Sequence, residues 1–110
     1  MTESTIKKQV EDYEKNTPSH IDTKTKAYYV GKYQGFLVYL ATKTKEELVE
    51  IYNKEVDATH SGSWTSNRPV FLDALHTVCV ERGLPPFYTK IEKDEAGSVH
   101  KSHALQKINQ

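Results

Sequence analysis

The stretch from His60 to Arg68 crowds His60, Ser61, Ser63, Trp64, Thr65, Ser66, Asn67 and Arg68 into nine positions, just before an apolar periodic segment. A helix N-terminus presents unpaired N–H groups and a partial positive charge, which suits a phosphate or carboxylate. Arg68 adds a two-pronged donor, and Trp64 adds a face on which a base or ring can stack. Together they make a candidate site for a nucleotide or another small phosphate-bearing ligand. The competing account is a solvated loop in which Ser66 or Asn67 only caps the next helix. Neither GxxxxGK[ST] nor GxGxxG is present to support phosphate binding.

Two histidine arrangements invite further chemistry. His76 and Cys79 stand three apart, the helical spacing at which an imidazole could hold a thiolate. Cys79 falls on an apolar stripe, however, where a thiol behaves as a small hydrophobe. Asp73, three residues before His76, suits a surface pair with it. His100 and His103, with Asp94, Glu95, His20 and His60 available, could supply zinc ligands. A pair of solvated histidines in a polar tail explains the same residues. No paired-carboxylate spacing stands out. The expectation is a protein with no catalytic residues, no metal and no cofactor, leaning away from an enzyme.

Gly31 and Gly35 are spaced as G-x-x-x-G. On a helix they share one side and permit close approach of another backbone. Tyr28 and Tyr39 flank them, and tyrosine is enriched at interfaces because it brings contact area at small entropic cost. Tyr28, Gly31, Gly35 and Tyr39 therefore form a candidate face for a second copy or a protein partner. Lys24, Lys26 and Lys32 interleave with Tyr28, Tyr29 and Tyr33, a mix that can hold single-stranded nucleic acid. Three lysines in a neutral chain are weak support for that, so nucleic acid is not the expected partner.

These residues must be positioned by a few short elements. Ile6, Val10 and Tyr13 give residues 3–15 a narrow helical stripe, with Thr2 or Ser4 as N-cap and Thr17-Pro18 as its end. Segment 27–41 sorts by angle as a helix, with Ala27, Val30, Leu37, Val38 and Ala41 on one side and Asp22 as N-cap. Its Tyr, Val and Phe content also allows a hairpin, because two glycines each cost about 1 kcal/mol in a helix. Thr44 and Glu47 make a capping box ahead of a helix at 45–58, whose stripe of Leu48, Ile51, Tyr52 and Val56 is interrupted by Glu55. A helix at 68–82 follows, with Pro69 in its first turn, Gly83 at its C-cap and Pro85-Pro86 blocking continuation. Residues 87–91 alternate as an extended segment. Beyond them, either Ser98 to His103 returns as a strand or Ser98 caps a weak helix.

The architecture expected is mainly α: one domain over residues 1–110 with about four helices and an extended C-terminal segment. The alternative is α+β, with a hairpin at 27–41, helices at 45–58 and 68–82, and a second hairpin at 87–104. A polar helix and connector fill 1–26, and 92–110 form a polar tail. The chain's 110 residues suit one core. Fifteen basic and fifteen acidic residues leave no net charge to drive non-specific nucleic-acid binding. A single cysteine rules out an intrachain disulfide framework. No apolar run reaches the roughly 20 residues that span a bilayer, and the N-terminus has no apolar signal region. The expected setting is the cytoplasm, with no membrane contact. The apolar content of 36% is low and concentrated between Ala27 and Ile91. Thin cores of this kind are often completed by a partner. The functional expectation is a small interaction or accessory protein acting by self-association or by docking on a larger protein. The alternative is capture of a phosphate-bearing ligand at 59–68.

Overall fold

Asp22 stops the chain from entering a hairpin at 27–41. Its carboxylate accepts from the Thr25 backbone N–H at 2.8 Å and from the Thr25 hydroxyl at 2.8 Å, and so closes the first turn of a helix. In the computed structural model, which describes residues 1–17, 21–62, 65 and 67–109, that helix runs unbroken through both glycines. The elements are α1 (Glu3–Asn16), α2 (Thr23–Ala41), α3 (Lys45–Ser61), α4 (Arg68–Glu81), β1 (Tyr88–Lys93) and β2 (Val99–His103). The chain is a mainly helical domain with a small antiparallel hairpin near its C-terminus. The hairpin expected as an alternative at 27–41 does not form, whereas the one at 87–104 does.

The start of each helix follows from local chemistry. Thr2 accepts from the Thr5 N–H at 3.1 Å ahead of α1. Thr44 and Glu47 form the full capping box of α3, with bonds of 2.9 and 3.1 Å. Asn67 stands at the N-cap of α4 but makes no side-chain cap bond, contrary to the role expected of it. The other expected cap, Ser66, lies outside the described residues. α3 runs three residues past its expected end, so Thr59, His60 and Ser61 belong to its last turn, and Gly62 closes it at φ 73°. α4 ends at Glu81 with Arg82, rather than the expected Gly83, at its C-cap, and Gly83 follows in the left-handed region at φ 72°.

Packing follows the stripes. Tyr33, Leu37 and Leu40 of α2 join Leu72, Leu75, Val78 and Cys79 of α4 and Leu48, Tyr52 and Val56 of α3 in one core closed by Phe87. Full burial of each such aliphatic side chain contributes about 1.5–3 kcal/mol. α2 packs mainly on α4, and α1 packs on α2. No residue of α1 is fully buried, and it is held partly by Tyr13, whose ring stacks on Tyr33 at 4.0 Å. Arg82 reaches back to the end of α2, donating to the carbonyls of Ala41 and Lys43 at 2.9 and 3.0 Å. A cation there satisfies orphan carbonyls and the negative end of the helix dipole.

The hairpin pairs Ile91 with Lys101 and Lys93 with Val99, with an irregularity between Tyr88 and Lys90. Only Tyr88 of β1 is buried. Beyond β2 the chain returns to α3, where the Asn53 side chain accepts from the Ile108 N–H at 2.7 Å and donates to its carbonyl at 3.0 Å.

Candidate functional site

One side of α2, beside the start of α4, is left open. Val38, Tyr28 and Tyr39 are 48%, 51% and 50% exposed there. A Cβ built on Gly31 or on Gly35 would meet no atom within 4 Å. Among the described residues, then, the two glycines accommodate no neighbour. They form the floor of a shallow groove of about 650 Å³, walled by Tyr28, Tyr39 and the edge of the Phe36–Phe71 pair. Tyr28 and Tyr39 are held in place. Lys32 sits 5.6 Å from the Tyr28 ring centre, and Lys43 sits 4.5 Å from that of Tyr39. The Tyr28 hydroxyl also donates to Asn67 Oδ1 at 3.3 Å. All four residues expected to form an interface, Tyr28, Gly31, Gly35 and Tyr39, thus line one concave strip. The period of the helix brings them together.

No protein family matches the chain, and neither a curated protein nor a solved structure shows similarity to it.

The residues expected to bind an anion are differently employed. Arg68 is 7% exposed, and its Nε donates to Glu55 Oε2 at 2.9 Å. Its Nη2 donates to the Glu55 carbonyl at 3.0 Å and to the Thr59 hydroxyl at 2.8 Å. A guanidinium so paired is not offered to an incoming phosphate, and Glu55 would repel one. His60 Nε2 donates to the Leu105 carbonyl at 2.9 Å, and Ser61 donates to the Ala58 carbonyl at 3.0 Å. Asn67 and Arg68 line a second shallow groove of about 570 Å³ with Glu55, Thr65 and Phe71. Ser63, Trp64 and Ser66 lie outside the described residues.

Burial pushes the Cys79 thiol up to about 12, so no thiolate is at hand for nucleophilic attack. His76 is turned to another use, with its Nδ1 accepting from the Tyr88 backbone N–H at 3.1 Å. His100 pairs with Asp94 at 3.0 Å, while His103 lies against the rings of Phe87 and Tyr88. Among the described residues no three His, Cys, Asp or Glu side chains gather as a metal site.

A cluster around Asp73 went unread in the sequence. Its Oδ1 accepts from the Tyr88 hydroxyl at 2.5 Å and from Lys101 Nζ at 2.6 Å. Lys101 also lies over the Tyr88 ring, 5.1 Å from its centre. Burial, then the nearby Asp73 carboxylate, pushes the Tyr88 and Tyr13 phenols far above their ordinary range and keeps them neutral donors. This network ties the hairpin to α4. Asp73 also faces α1 through Tyr13. The partners stand 15 and 28 residues from Asp73, too far for any local spacing rule to link them.

Proposed function

We propose that this is a non-enzymatic interaction protein whose docking surface is the glycine face of α2. The observation that carries the reading is the open space over Gly31 and Gly35. Two interior glycines cost a helix about 1 kcal/mol each relative to alanine. No close approach by a described residue offsets that cost, and a backbone arriving from outside would account for the bare strip. The half-exposed Tyr28, Val38 and Tyr39 supply apolar area around it. The residues that would serve a thiol enzyme or an anion site support the same reading, because Cys79, His76 and Arg68 are engaged within the fold.

A photo-crosslinking amino acid in place of Val38, in cells that express the full chain, tests this. The expected result is a discrete covalent adduct that weakens in Gly35→Ala and disappears in Gly35→Leu. An adduct with a second copy identifies self-association, and one with another protein identifies docking. No adduct from position 38, or one indifferent to Gly35→Leu, overturns the reading.

A further inference from the structure

We infer that the occupant of the α2 groove is an acidic, amphipathic helix of another protein, an inference that rests on the docking reading above. The first argument is charge. Lys24 and Lys32 flank the glycine strip on α2, and Lys43 stands just past its end. α2 contains no Asp or Glu in its 19 residues. Asp22 at its start is engaged in capping. The ion pairs formed among the described residues include none of these three lysines. In a chain whose charges sum to zero, this face carries lysines and no acid of its own, with Lys43 near Glu47 of α3 and Lys32 over a tyrosine ring. Complementary charge around an apolar contact selects acidic groups.

The second argument is shape. α2 is about 28 Å long at 1.5 Å per residue, and its groove runs along the helix with glycine at the floor and tyrosine at the walls. Absent Cβ atoms at i and i+4 admit another helix at short interaxial distance, with a small or apolar residue over each glycine. The partner's acidic residues would then flank that seam and meet Lys24, Lys32 and Lys43.

Two other occupants fit less well. A second copy of this chain would bring the same lysines against one another with no acid from either α2 to pair them. A nucleic-acid strand would need free ring faces, but Tyr33 is buried against Tyr13, and the Tyr28 and Tyr39 rings already carry Lys32 and Lys43.

The test is selection of the full-length protein against a displayed library of 18-residue helices. Each has a fixed Ala/Leu seam and flanks randomised among Glu, Gln and Lys. Glu flanks are expected to enrich by roughly tenfold or more over Gln, with binding that weakens as salt rises. The enriched helices should bind Gly35→Ala more weakly and lose binding to Gly35→Leu, with thermal melting confirming that both variants fold. Lys24→Glu combined with Lys32→Glu should turn the preference towards Lys flanks. Neutral or basic enrichment that still depends on Gly35 overturns the acidic partner and leaves the docking reading standing. So does dimerisation in sedimentation equilibrium that Gly35→Leu abolishes. Binding of a single-stranded oligonucleotide that Lys24→Glu with Lys32→Glu abolishes overturns the acidic helix in favour of nucleic acid. Absence of any Gly35-dependent helix binding or self-association overturns both.

Discussion

Glu55 and Arg68 form a 2.9 Å ion pair between α3 and α4 in which neither side chain is more than 17% exposed. The pair holds the start of α4 against the middle of α3 and replaces the side-chain cap that Asn67 does not supply. Taking charges out of water is costly, and their mutual attraction only roughly offsets it. Removing one partner is therefore worse than removing both. Glu55→Ala is expected to lower unfolding stability by about 3 kcal/mol or more. Glu55→Leu combined with Arg68→Met should recover most of the loss. Denaturant midpoints of the three variants check this, and equal losses in all of them would contradict it.

Gly31→Ala and Gly35→Ala should each stabilise the protein by about 0.5–1 kcal/mol, because both positions are helical with room for a methyl group. Thermal melting decides. A drop in melting temperature for either variant would mean that this strip is packed against something within the chain.

Tyr88→Phe deletes a bond to the Asp73 carboxylate while leaving the ring in place. A hydrogen bond to a charged acceptor contributes about 1.5–3 kcal/mol, and a loss of that size is expected. The loss should fall on the hairpin first, read as faster amide exchange across β1 and β2 than in α3.

Stability should fall as pH drops below about 6.5, the ordinary imidazole value. Burial lowers both His76 and His103 in the fold, with Lys101 adding to each, Arg68 adding to His103, and Asp73 opposing. Between the lowered folded value and the ordinary one, the unfolded chain binds more protons than the folded one. The histidine contribution is thus complete above about 6.5 and is lost as pH falls through the folded values. His76 has a further reason to stay neutral, since its Nδ1 must accept from Tyr88. Urea midpoints between pH 7.5 and 5.5 measure the slope. His76→Gln, which keeps an acceptor but does not titrate, should flatten it.

The helices were legible because their signals are local. Asp22, the Thr44–Glu47 box and Gly83 mark ends that the chain uses. The period of 27–41 outweighed its strand-forming composition because Tyr33, Leu37 and Leu40 could be buried together. The hairpin was visible only as an alternative, since Ile91 and Val99 are about half-exposed and β1 has no alternating buried face. That Tyr28, Gly31, Gly35 and Tyr39 share one side of α2 was legible for the same periodic reason as the helix. The bond between Arg68 and Glu55 was not legible because the two lie 13 residues apart on different helices. One clue was present, a carboxylate at Glu55 in an otherwise apolar stripe. A lone acid in a core position calls for a buried cation.

Cys79 is the only thiol in the chain and is fully buried in α4. A reagent that attacks thiolates can reach it only when α2 and α3 part from α4. The rate of labelling under native conditions then follows how often the core opens, rather than how reactive the sulfur is. A variant that loosens α4 would be found by its faster modification before any change in melting could be seen.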